Sequence, residues 1–294
     1  TQMCNKEWGD INFSHVPSVA SARYQKAFGR NAAVAYAEYI NELQKAPEDR
    51  TDPKVKINAG AVYPHDIVKS VKNGNAAAAD AQWKALPNFV GDNKILPMVD
   101  VSGSMHRAMP NGAPMPIETA IALGLYLSEK NTSSFKDLFL TFSDKPQLVT
   151  STGTLSDRIY QMNNAAWGFN TNIAAAFKLV LETAIKGKVS QDDMPDSILI
   201  LSDMQFDQSC HRDDSAMEMI ERSYDKVGYH MPKIVFWNLA SSTSNVPIKF
   251  DKQGTALISG FSPAIMKAVL ADDMEEYSPY NVMLQALMIE RYDY

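Results

Sequence analysis

The sequence predicts an α/β protein: a doubly wound, mostly parallel sheet preceded by a helical segment. Three observations predict it. Residues 1–93 carry helical spacing of apolar side chains and no strand signal. From Lys94 onward, short apolar runs alternate with helical stretches, the pattern of strands joined by crossover helices. The clearest runs, Ile95-Leu96-Pro97-Met98-Val99-Asp100-Val101 and Ser197-Ile198-Leu199-Ile200-Leu201-Ser202, each end in a polar loop, as buried strands do. The expected division is a helical segment over 1–93 and an α/β domain over 94–294.

The elements follow in order. Residues 18–44 are rich in Ala, Tyr, Lys and Glu, with Ala32, Tyr36, Tyr39, Ile40 and Leu43 at helical spacing. The polar, proline-bearing stretch 46–53 breaks this helix. A short helix is expected over 64–72; Asn73-Gly74 stops it and a further helix runs over 76–86. After the strand at 95–101 come a helix over 117–129, a strand over 138–142 and its hairpin partner over 146–150. Helices are expected over 155–163 and 173–186, a strand over 197–202, a helix over 213–227 and a strand over 233–239. A weaker strand lies at 255–259, and the last helices at 263–270 and 282–292.

Composition excludes several classes. Apolar residues are 45% of 294, enough for a packed core and too many for a disordered chain. No apolar run reaches the roughly 18 residues of a membrane span, so no membrane partner is expected. Cys4 and Cys210 are far apart in sequence, and the opening residues carry no apolar leader. Together they predict a reducing, cytoplasmic location. Residues 1–93 hold 11 Lys+Arg against 10 Asp+Glu. The remainder holds 17 against 24, so the net charge of −6 is concentrated in the α/β half. No basic stretch marks a DNA-binding surface.

Three loops at strand ends carry the candidate chemistry, because ligands of an open parallel sheet bind at its carboxyl edge. They are Asp100-Val101-Ser102-Gly103-Ser104, Gly168-Phe169-Asn170-Thr171-Asn172 and Ser202-Asp203-Met204. Asp100, Ser102, Ser104, Thr171 and Asp203 are hard oxygen donors with no soft ligand among them, a set that suits Mg²⁺ or Mn²⁺ rather than zinc. Two carboxylates and three hydroxyls leave room for waters and for a carboxylate donated by a partner. Asn172 and Asp207 are candidates for groups behind the ligands, with a helix cap and a surface carboxylate as the plainer readings.

The ordered triple of Asp-Val-Ser-Gly-Ser, Thr171 and Asp203 resembles the metal-ion-dependent adhesion site (MIDAS) of a von Willebrand factor A (vWA) domain, a Rossmann-like fold. Leu140-Thr141-Phe142-Ser143-Asp144, Thr171-Asn172-Ile173 and Ile258-Ser259-Gly260-Phe261-Ser262 are similar to the A domain of Ro/TROVE ribonucleoproteins. Cys4-Asn5-Lys6, residues 16–20 and residues 57–68 resemble the C-terminal part of an uncharacterised TROVE-like family of the DUF2828 type. The resemblance implies that residues 1–93 end a helical-repeat array and that the chain is the C-terminal part of a longer protein. It implies metal-dependent binding of a protein partner through its acidic side chain, without catalysis. It also raises small noncoding RNA as a partner of the helical part, and a structural ring or particle subunit, possibly viral, as an alternative. A phosphatase is disfavoured on the residues themselves: the position two after Asp100 is Ser102, which cannot serve as general acid, and no Gly-rich phosphate loop with Lys is present.

Overall fold

The computed structural model of the chain describes residues 2–109, 113–168, 172–203, 214–240 and 255–259. Among these the chain is mixed α/β with a mostly parallel sheet. Two units are distinguished: residues 1–87 with 153–159, and residues 88–152 with 160–294.

The first unit is helical, with no strand among its described residues. Its helices are α1 (Ser18–Asn31), α2 (Ala33–Gln44), α3 (Pro64–Lys72) and α4 (Ala76–Lys84). The single helix expected over 18–44 is therefore two. Ala32 leaves the helical region at φ −134°, ψ 45°, and the Asn31 side chain folds back to donate to the Ala27 carbonyl at 2.9 Å. The break lets Phe28 and Tyr36 converge on one ring, Phe13, at centroid distances of 5.3 and 5.1 Å. Tyr39 joins at 5.3 Å. Phe13 stands in a short 3-10 turn ahead of α1, so the cluster closes the N-terminal strap over the helices. Polar pins reinforce it. Asn58 Nδ2 donates to the carbonyls of Ser14 and Val16, and buried Gln82 Nε2 to those of Ser18 and Asn58. Pro64 opens α3 at a position where its missing N–H costs nothing. The chain turns out of α3 at Gly74, whose φ of +85° is a conformation glycine adopts freely.

The second unit holds the sheet: β1 (Ile95–Val99), β2 (Leu138–Thr141), β3 (Leu148–Thr150), β4 (Ser197–Ser202), β5 (Lys233–Asn238) and β6 (Thr255–Ser259). The spatial order is β3-β2-β1-β4-β5-β6. All neighbours are parallel except β2 and β3, which form the expected antiparallel hairpin. The helices are α5 (Pro116–Lys130), α6 (Leu155–Asn163), which crosses the division between the units, α7 (Ile173–Gly187) and α8 (Asp214–Val227). The helices expected over 263–270 and 282–292 lie outside the described residues.

β1 is buried along its whole length, which explains its unbroken apolar run. Pro97 is tolerated inside it. The Val99 carbonyl accepts from Phe142 N–H, so odd-numbered residues of β1 turn their backbone toward β2. That ladder begins only at Met98, and the missing donor falls ahead of it. Side chains alternate faces along a strand. Leu96 and Met98 enter a core with Phe177 and Val180 of α7, Tyr224 of α8, and Ile198 and Ile200 of β4. Each fully buried side chain of this kind contributes roughly 1.5–3 kcal/mol. The Tyr224 hydroxyl donates to the Phe177 carbonyl at 2.8 Å, joining α8 to α7.

Val99 points the other way, toward α5. A Cβ on Gly124 would lie 2.5 Å from Val99 Cγ2 and 3.3 Å from Met162 Cε. Glycine here is a close-approach residue. Gly124→Ala gains roughly 1 kcal/mol of helix propensity but overpacks a full interior at about 1–3 kcal/mol. The expected result is a net loss of stability, with a lowered urea midpoint at unchanged m-value.

Candidate metal centre

Two parallel neighbours deliver the site. Asp100 is the first residue after β1, and its backbone N–H donates to the Leu201 carbonyl at 3.0 Å. The ladder thus runs one residue past β1 and sets Asp100 beside the end of β4. Asp203 directly follows Ser202, the last residue of β4. The strand order reverses at this point: β2 lies on one side of β1 and β4 on the other. A crevice opens at the carboxyl edge of such a reversal.

Asp100 and Asp203 are 2% and 0% exposed. Asp100 Oδ1 accepts from Ser102 N–H at 2.8 Å, an Asx turn that bends the chain out of the strand. Asp100 Oδ2 accepts from Ser202 Oγ at 2.6 Å. A 3-10 turn over Gly103–His106 then brings Ser102 Oγ and Ser104 Oγ within 3.1 Å of each other. Ser104 Oγ donates to Asp203 Oδ1 at 3.2 Å. One hydrogen-bonded chain therefore joins Asp100, Ser102, Ser104 and Asp203. Burial holds the Asp100 carboxyl above the ordinary carboxylate range. Hydrogen bonds from Ser202 and Ser102 pull it back down, and the neighbouring Asp203 carboxylate raises it further. Two carboxylates drawn together out of water are most readily reconciled by a cation.

The donors fit a hard divalent ion: carboxylates and hydroxyls only, gathered at one strand edge. Among the described residues no group of three or more His, Cys, Asp and Glu side chains is placed to hold a metal. Here two acids are complemented by hydroxyls. Thr171 and Asp207 lie outside the described residues. His106 is exposed, with Nδ1 3.3 Å from the Ser102 carbonyl.

The flank of the second loop is anchored. Asn172 Oδ1 accepts from Ala175 N–H at 2.8 Å and so caps α7. Its own N–H donates to the Ser143 carbonyl at 3.1 Å. Gly168 approaches the same residue so closely that a Cβ would sit 2.7 Å from Ser143 Cβ. Asn172→Ala removes the cap, and a stability loss of about 1 kcal/mol is expected, read from chemical denaturation.

Ser202 is the site residue that motif spacing missed. Its hydroxyl touches Asp100 only because β1 and β4 are paired. The signal was present in Ser202-Asp203, a hydroxyl at the very end of an apolar strand.

Comparison with known proteins places the chain among relatives. Residues 94–287 match the family model described as "Domain of unknown function (DUF7788)". Residues 1–93 match "Domain of unknown function (DUF2828)". An uncharacterized protein of Acanthamoeba polyphaga mimivirus is 32% identical over 307 residues, covering 97% of this chain and 51% of its own length. The chain thus spans about half of that relative. Among solved structures, the crystal structure of the Ro (RSR) protein of Deinococcus radiodurans superimposes with a TM-score of 0.53 at 17% identity. That match covers 85% of this chain and 52% of the Ro chain, and it is a likeness of fold.

Proposed function

The chain belongs to the DUF7788 family, and from that premise we propose that its α/β half is a doubly wound vWA-type module that binds a protein partner through a divalent cation. Asp100, Ser102, Ser104 and Asp203 would hold Mg²⁺ or Mn²⁺, with Thr171 supplying a hydroxyl from the second loop. The carrying observation is the hydrogen-bonded chain that runs from buried Asp100 through half-buried Ser102 and Ser104 to buried Asp203 at the β1–β4 reversal. A bound cation would supply an open coordination position for a carboxylate of the partner. The chain's own residues do the rest. Ser202 orients Asp100, the Asx turn fixes the direction of Ser102, and the 3-10 turn aligns Ser104. No general base stands beside a nucleophile in this set, and the proposal is of binding without turnover.

The test is calorimetric titration of Mg²⁺ and Mn²⁺ into wild type and into a variant carrying Asp100→Ala and Ser102→Ala. Saturable binding to wild type that is lost in the variant is the expected result. Equal heats in the two proteins would refute the site.

A second reading, a ribonucleoprotein component that binds small noncoding RNA through residues 1–93, is supported by the fold likeness to the Ro protein. The near-neutral charge of that segment weighs against it. A salt-dependent shift of small RNA by the intact chain would favour it.

A further inference from the structure

We propose that Arg107 is a carboxylate seat beside the candidate metal centre, taking a second acidic side chain from the same protein partner. This rests on the binding reading above and extends it. Arg107 follows the 3-10 turn that carries Ser104, and its backbone N–H donates to the Ser104 carbonyl at 3.4 Å. Its Nε and Nη2 are buried and have no hydrogen-bond partner. Arg107 as a whole is half-buried, but covered donors left unanswered are costly, and native folds retain them where a ligand, ion or water answers them.

The identity of the two nitrogens narrows the ligand. Nε and Nη2 form the side edge of the guanidinium, which projects two parallel N–H bonds. That edge matches the two oxygens of a carboxylate and makes paired, charge-assisted hydrogen bonds with it. A lone carbonyl would answer only one of them. Ser143, at the carboxyl end of the neighbouring β2, is 3% exposed and its Oγ is likewise unpartnered. Thr119 near the start of α5 is 2% exposed with Oγ1 in the same condition. Buried polar groups without a hydrogen-bond partner therefore recur on the elements around the end of β1, and of these the guanidinium edge alone can only donate. An acidic ligand answers that edge. Nε and Nη2 are covered in this structure, so a ligand reaches them only once they are uncovered, beside the turn that carries the candidate metal ligands Ser102 and Ser104.

The experiment uses the whole chain, with hexaglutamate as probe and hexaglutamine as its neutral control. Each is titrated in Mg²⁺ and in EDTA against wild type and Arg107→Lys. Lysine keeps the charge but not the two-pronged edge, and thermal melts establish that both proteins are folded. Wild type is expected to bind hexaglutamate and not hexaglutamine. Arg107→Lys is expected to weaken hexaglutamate binding by about tenfold while leaving the Mg²⁺ isotherm unchanged. Equal hexaglutamate affinity in the two proteins, or none in wild type, overturns the seat. Arg107-dependent peptide binding without any Mg²⁺ isotherm sustains the seat and refutes the metal reading.

Discussion

Asp100→Asn is expected to abolish divalent-cation binding and, in EDTA, to raise the melting temperature by a few degrees. Both effects come from one geometry. In the metal-free protein Asp100 is buried, and its carboxyl is held above the ordinary range by burial and by Asp203. A carboxyl whose folded-state pKa lies above its unfolded value favours the folded state below the unfolded pKa. That contribution is lost as pH rises through the folded value. Above that value the ionised group is therefore a cost. Asparagine keeps the shape. Its oxygen can still accept from Ser102 N–H, and its amide can donate to Ser202 Oγ. The charge is gone, and with it both the cost and the ligand. Thermal melts over a pH series should show the variant ahead at neutral pH, with the gap closing as pH falls and wild-type Asp100 takes up its proton. Mg²⁺ should raise the melting point of wild type alone, in proportion to the logarithm of its concentration. A variant less stable than wild type in EDTA at neutral pH would contradict the account.

Phe13→Ala is the second large effect, expected at about 3–5 kcal/mol. Phe13 is 7% exposed and meets Phe28, Tyr36 and Tyr39 at once. Truncation leaves a cavity bounded by rings on rigid helices, which collapse poorly onto it. The edge-on aromatic contacts, worth about 0.5–1.5 kcal/mol per pair beyond area, are lost as well. The loss should be local. Hydrogen exchange is expected to accelerate across α1 and α2 and to remain at wild-type rates in β1 and β4. Uniform acceleration throughout the chain would show that the two units unfold together.

Phe13 also marks where the sequence was hard to read. It lies in a polar stretch with no periodicity, and only the tertiary meeting of α1 and α2 gives it a role. The break at Ala32 was hidden for the same reason. Alanine favours helix, and the turn there is imposed by packing of Phe28 and Tyr36 around one ring rather than by any local breaker. Elements with their own local signals were legible. Asn73-Gly74 ended α3, and Ser197–Ser202 and Leu155–Asn163 were bounded correctly because turn residues flank apolar runs. The α/β pattern of the second half, including the β2–β3 hairpin, followed from the same alternation. The loops holding Asp100, Ser102, Ser104 and Asp203 were visible as polar residues at strand ends. Their meeting depends on β1 lying beside β4, which no local pattern encodes. Ser202, whose role exists only across that pairing, was named in its loop but given no role.

That pairing also sets an order of events as the chain is made. Met98 of β1 pairs with Leu140 of β2 on one side and with Ile200 of β4 on the other. β2 follows β1 after a single helix, whereas β4 emerges only after β3, α6 and α7 have been synthesised. Throughout that interval β1 presents a bare edge of backbone donors and acceptors, flanked by side chains destined for full burial. Such an edge is a template for another copy of the same chain. Closure of the sheet joins strands far apart in sequence, which slows folding. Refolding yield should therefore fall steeply with protein concentration, and truncations that end before Ser197 should aggregate rather than form a smaller stable domain.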